Sequence, residues 1–292
     1  MGKNSKKKDL CLVTGVQPED YVHYDNRLRK PVCIKRIENG IEIGSMVVQG
    51  VDEIEYRRQR LKYFIPNNVA VLLSISEKAA YRGQELLMRF FKSDGVQLDV
   101  SKYDGNKIEF INHRSKEVCD YIENIQTSVV FAYTALEAFS NLSVPTGYEY
   151  VVEVKPKGTR EVFNKEAIER WVPLRDKLTK ILPGVYEARS PSTQRFWGHF
   201  VRLEKYRHDI IHQKSIDSTE FYKAYFMNDV FDVCAVAEKI IHFFYEQLSN
   251  NNRTNPLWPW MKNTTNHIPM INEYDPSWFE VLGDIHEGIG RK

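Results

Sequence analysis

Along this chain the spacing of apolar positions changes character once. Up to about residue 112 the texture is mixed. The stretch PVCIKRIENGIEIGSMVVQG (31–50) is a run of β-branched residues around Asn39-Gly40. Asn-Gly accepts the positive φ angles of a tight hairpin turn, so two paired strands are expected there. SEKAAYRGQELLMRFFKS (76–93) reads as a helix with Leu86, Leu87, Phe90 and Phe91 on or near one side. VQLDVSKYDGNKIEFI (96–111) reads as another strand–turn–strand, turning at Asp104-Gly105.

From about residue 114 the period is helical. SKEVCDYIENIQTSVVFAYTALEAFSN (115–141) carries Val118, Ile122, Ile125, Val129, Leu136 and Phe139 on one broad stripe. Pro145 and Gly147 stop it. NKEAIERWVPLRDKLTKILPG (164–184) starts at the N-cap candidate Asn164 and ends at Pro183-Gly184. Its interior Pro173 should kink or divide it. A third helix begins near Ser190-Pro191, a capping residue followed by a proline suited to the first helical position. Phe196, Phe200, Leu203, Tyr206 and Ile210 then recur at spacings of three and four. A fourth helix is expected from Asp217, with Glu220 completing a capping box, to about residue 249. The short join makes the third and fourth helices antiparallel neighbours.

The expected fold class is therefore α+β and mainly α. A mixed α/β region (1–112) precedes an up-and-down helical bundle (113–250) and an irregular, aromatic-rich tail (251–292). Trp258-Pro259-Trp260 in that tail reads as packing.

Composition narrows the function classes. A net charge of +2 over 292 residues neither demands nor excludes a nucleic-acid partner. Four scattered cysteines (Cys11, Cys33, Cys119, Cys234) share no CxxC spacing and fit a reducing compartment. The longest clear apolar run, VAVLLSI, is too short to cross a bilayer. The basic start MGKNSKKKDL has no hydrophobic region after it, and Lys6 breaks the myristoylation pattern. A cytoplasmic protein without a membrane partner is expected, and no cofactor is implied.

The densest chemistry is EKYRHDIIHQK (204–214), at the end of the third helix. Three readings compete for it. As a charged helix end, its cations suit the partial negative charge of the last carbonyls. As a metal site, His208 and His212 share a helix face and can chelate zinc. The Glu of HExxH is missing, and His199, Glu137 and Asp217 are the candidate further ligands. As a catalytic site, a histidine moves protons on and off a 2′-hydroxyl and a leaving oxygen at neutral pH. An arginine then stabilises charge on the phosphoryl oxygens. Arg207 and His212 supply that pair. Five residues along an ideal helix turn about 140°, so the two do not share a face. Either the helix end distorts, or a second copy supplies the missing group across a symmetric interface.

A bundle carrying R-x4-6-H late in its third long helix resembles the HEPN superfamily. RHDIIH fits, with Arg207, a polar His208 and then His212, and YTALEAFSN (133–141) resembles the end of the family's early long helix. The resemblance covers about residues 114–250. It implies a metal-independent endoribonuclease acting as a homodimer, with a toxin or antiviral-defence role and an antitoxin or regulatory protein as a possible partner. By that resemblance His212 is the acid/base and Arg207 holds the scissile phosphate. His208 polarises or positions, Asp209 orients an imidazole, and Glu137 and Asn141 brace the motif. Non-catalytic dimerisation or nucleotide or RNA binding on the same fold is the first alternative. A zinc hydrolase built on His208 and His212 is the second. For RNA backbone, YRRQRLKYF (56–64) offers Arg57, Arg58 and Arg60 with interleaved aromatics, or else a solvated helix face. Lys205 and Lys214 beside the motif join these RNA-binding candidates.

Overall fold

Asn39 and Gly40 both adopt positive φ, 51° and 80°, and close the expected hairpin. In chain order the elements are β1 (Asp9–Gly15), β2 (Val32–Glu38), β3 (Ile41–Tyr56), β4 (Gln59–Phe64), α1 (Asn68–Phe91), α2 (Lys107–Ser143), β5 (Tyr150–Val154) and β6 (Thr159–Phe163). There follow α3 (Lys165–Trp171), α4 (Leu174–Asp176), a π-helical turn (Lys177–Ile181), α5 (Leu182–Tyr186), α6 (Trp197–Ile211), α7 (Glu220–Lys223), α8 (Val230–Ser249), β7 (Met270–Ile271) and β8 (Phe279–Gly283). The computed structural model describes residues 8–91, 97–154, 158–213, 219–249, 257–262, 266–271 and 278–285. The fold is α+β and mainly helical.

Contacts divide the chain into two units, residues 1–70 with 245–292, and residues 71–244. The boundary expected near residue 112 instead falls inside α2, and most of α1 belongs with the helices that follow it.

The first unit is a six-stranded sheet of order β7-β2-β3-β1-β8, with β4 paired to the far end of β3. The 16-residue β3 is its spine, and Val48 lies opposite both Val32 of β2 and Val13 of β1. Side chains alternate between the faces. Cys11, Ile34 and Val48 cluster in one group, and Cys33 and Val47 cluster with Trp260 and Ile268 in another. The C-terminal stretch, expected as an irregular tail, supplies β7 parallel to β2 and β8 parallel to β1. Trp258 and Trp260 are buried. Asn67 anchors this returning chain: its amide donates to Leu257 O at 2.9 Å and its oxygen accepts from Ala70 N at 3.2 Å.

The second unit is helical. On α2, Tyr121, Ile125, Val129, Ala132, Leu136 and Phe139 are buried, while Val118 and Ile122 of the expected stripe are half-buried. Each fully buried large side chain contributes about 1.5–3 kcal/mol. Helix α1 runs against α2 through the Ser76 and Ser128 hydroxyls, 3.0 Å apart, and through Gly83, where an added Cβ would meet Ile125 at 3.1 Å. Helices α6 and α8 are antiparallel neighbours: Phe196 meets Phe243, and Arg202 bonds Asp229. Phe200, Leu203 and Tyr206 are buried as the spacing requires.

Several local expectations need correction. Residues 97–111, within the expected strand–turn–strand, are no hairpin. Asn106 accepts from Ile108 N and Glu109 N and caps α2, whose first residue is Lys107. Asn competes better for an N-cap than for a turn once a helix-forming run follows it. The first helix begins at Asn68 rather than near Ser76. Asp217 lies outside the described residues, and the expected fourth helix is broken. It comprises α7, a 3-10 turn and then α8, with Met227 extended between them. Tyr150–Val154 and Thr159–Phe163, given no element by the sequence, pair antiparallel as β5 and β6. Asn164 does cap α3, accepting from Ala167 N, and Pro173 divides α3 from α4.

Candidate active site

The candidate site starts from the end of α6. The helix keeps its form through Ile211, and His212 leaves it at φ −118°, ψ 35°, while His212 N still donates to His208 O at 2.9 Å. This places the rings of His208 and His212 4.8 Å apart, both exposed. Arg207 turns elsewhere. It is half-buried, and its guanidinium carbon lies 5.2 Å from the centre of the Tyr133 ring on α2. A guanidinium over an aromatic face contributes about 0.5–2 kcal/mol and loses rotational freedom. Within one chain, then, the end of α6 divides its chemistry between a fixed cation and a free imidazole pair.

A charged layer surrounds Tyr133. Tyr133, Glu137 and Asn141 succeed one another at four-residue spacing on α2 and so share a face. Arg175 of α4 pairs with Glu204 of α6. Lys177, at the head of the π-helical turn, is buried, and its amino group donates to Asn141 Oδ1 at 2.8 Å and to Glu169 O at 2.9 Å. Burial pushes the Tyr133 hydroxyl up to about 12. Glu137 and Glu204 add to that, while Arg207 and Arg175 pull it back. Tyr133 is therefore neutral at physiological pH and offers Arg207 an uncharged ring. Burial lowers Lys177, and Glu137 and Glu169 oppose that.

Other candidates are placed differently. Asp209, expected to orient an imidazole, bonds Lys205 at 2.6 Å one turn back along the helix. That ion pair also engages Lys205, a candidate for RNA backbone. Lys214 lies outside the described residues. Arg57, Arg58 and Arg60 lie in the first unit, on the β3–β4 hairpin rather than on a helix face. Arg57 and Arg58 form its tip at φ 50° and 65°, a conformation that costs a non-glycine residue about 1–2 kcal/mol. Arg57 lies over the Tyr56 ring at 5.2 Å, and Arg60 approaches Glu53 at 3.7 Å.

Among the described residues no group of three or more His, Cys, Asp or Glu is placed to hold a metal ion. His208 and His212 thus have no third ligand there, and the Asp217 candidate is not among those residues. No described helix is long and apolar enough to cross a membrane.

Sequence reasoning missed Tyr133, Arg175, Lys177 and Glu204. The first was accessible from its four-residue spacing to Glu137. Glu204 opens EKYRHDIIHQK, three residues before Arg207, whereas Arg175 and Lys177 carry no local signal. Comparison of the chain with models of protein families, with curated proteins and with solved structures gave no match.

Proposed function

We propose that the helical unit is a metal-independent endoribonuclease of HEPN type that works as a homodimer. The observation that carries this reading is the pairing of Arg207, held on Tyr133, with an exposed His212 at the end of the same helix. His212 takes the proton from the 2′-hydroxyl or returns one to the 5′ leaving oxygen. Arg207 stabilises the charge that grows on the phosphoryl oxygens, and the products carry a 2′,3′-cyclic phosphate. Because Arg207 rests on Tyr133 while His212 sits against His208, each active site draws on two copies of α6 across an isologous interface. His208 sits against His212 and positions it. Asn141 accepts from Lys177, Glu137 acts electrostatically on both Tyr133 and Lys177, and the two brace the α2 face. The arginines at the β3–β4 tip hold RNA backbone, which is consistent with two arginines kept in a strained turn. A toxin or defence role, with a protein that restrains the enzyme, is what the HEPN resemblance implies for such a nuclease.

Purified protein should cut an RNA pool in excess EDTA, and His212→Ala and Arg207→Ala should each lower the rate by at least 100-fold, about 3 kcal/mol. Mixing the two inactive variants should restore part of the activity through heterodimers. Absence of EDTA-resistant cutting, or full activity in either variant, overturns the proposal.

The divergence of Arg207 from His212 also favours a second reading, a bundle that binds RNA or a nucleotide without cutting. It requires unchanged RNA affinity in both variants and no cleavage by any preparation.

A further inference from the structure

The ribonuclease reading gives proton transfer to His212 alone. Two oxygens exchange protons in that reaction, and they stand in line on opposite sides of the phosphorus. The 2′-hydroxyl loses a proton as it attacks, and the 5′ oxygen gains one as it leaves. A single imidazole serves the two oxygens only in succession. The end of α6 carries two imidazoles. His208 and His212 are four residues apart and so share a helix face. His212 departs from helical geometry at φ −118°, ψ 35°, yet His212 N keeps its bond to His208 O at 2.9 Å. The rings therefore stay together, with centres 4.8 Å apart and planes tilted by 47°. Both residues are exposed, so a phosphate can reach either ring. Asp209, the carboxylate next to His208 in the chain, is turned to Lys205 at 2.6 Å. Two histidines that flank one phosphate supply a neutral base and a charged acid at the same pH.

We propose that His208 is a second catalytic residue of this site, the general acid for the 5′ leaving oxygen, with His212 as the base. This inference rests on the ribonuclease reading. Neutral His212 takes the proton of the 2′-hydroxyl while the 2′ oxygen forms its bond to phosphorus. Protonated His208 gives its proton to the 5′ oxygen while the bond from phosphorus to that oxygen breaks. The products are a 2′,3′-cyclic phosphate and a free 5′-hydroxyl. The pair ends with His212 protonated and His208 neutral, and exchange with water resets it.

The test compares two RNA oligonucleotides that share a bond cut by the full-length protein. In one the bond is natural. In the other its bridging 5′ oxygen is replaced by sulfur, which leaves as a thiolate and needs no acid. His208→Ala removes an exposed ring and keeps the backbone bond to His212 N. It should cut the oxygen substrate more slowly than the natural chain by about 100-fold or more, and the sulfur substrate within about tenfold of the natural rate. His212→Ala should be slowed on both substrates. His208→Asn keeps a polar side chain that can hold a neighbour but transfers no proton, so it should behave as His208→Ala does. Natural rates in His208→Ala, an equal loss on both substrates, or recovery on the oxygen substrate in His208→Asn each overturns the acid role of His208 and leaves the ribonuclease reading standing. Failure of the natural chain to cut any RNA overturns that reading and this assignment with it.

Discussion

Replacing Lys30 with methionine tests how the sheet unit tolerates a buried charge. Burial lowers Lys30 from 10.5 to about 8. A lysine at about 8 in the folded chain and 10.5 in the unfolded chain costs about 3 kcal/mol of stability wherever both forms are protonated. The folded value is the lower one. The cost is therefore complete below about pH 8 and fades as pH rises toward 10.5. The rings of Tyr245 and Trp260 act in the opposite sense, each returning about 0.5–2 kcal/mol to the ammonium. Methionine is unbranched and one atom shorter, loses the charge and fills nearly the same space. Lys30→Met should therefore be about 1–2 kcal/mol more stable than the natural chain near neutral pH. Its advantage should shrink by about 1 kcal/mol between pH 7 and pH 9.

Urea unfolding of both proteins across that interval measures the difference. Taking a difference is essential. Lys177 is also lowered by burial and acts in the same direction in both proteins. Burial raises the Cys11, Cys33 and Cys234 thiols, and they remove stability from both as the unfolded thiols ionise. A difference that stays constant from pH 7 to pH 9 would refute the reasoning. It would mean that the two rings hold the ammonium as well as water does, and that Lys30 titrates as an ordinary lysine.

Two further substitutions probe the bundle and the hairpin. Tyr133→Leu removes the ring beneath Arg207 and should lower the rate of RNA cleavage at least tenfold. Tyr133→Phe keeps the ring and should cut at the natural rate, so equal losses in both would place the effect on the hydroxyl instead. Gly40→Val should cost about 1–2 kcal/mol in urea unfolding, because φ is 80° there and no atom lies within 4 Å of an added Cβ. An unchanged midpoint would show that the turn relaxes without loss.

What the sequence made legible depended on whether a residue's partner lay nearby in the chain. Asn39-Gly40, the Asn164 cap, the break at Pro173 and the buried spacing of Phe200, Leu203 and Tyr206 are satisfied within a turn or two of the backbone. Asp104-Gly105 misled because Asn106 offered a competing local solution, a helix cap, one residue later. Strands β7 and β8 could not be seen in this way. Met270 pairs with Cys33 and Phe279 with Asp9, across more than two hundred residues, and no periodicity within two to five residues encodes such a choice. The candidate site divides along the same line. Arg207, His208 and His212 stand out because they crowd one helix end. The ring on which Arg207 rests belongs to α2, and the cations that share its charged layer follow Pro173. Lys177 enters that layer at a π-helical turn, a widening of the helix that no residue pattern announces. The Tyr133–Glu137–Asn141 spacing specifies a polar stripe on α2, but only the packed neighbours decide that the stripe meets cations rather than water. A motif read at the end of α6 is thus half of a physical statement, and Tyr133 is where the other half begins.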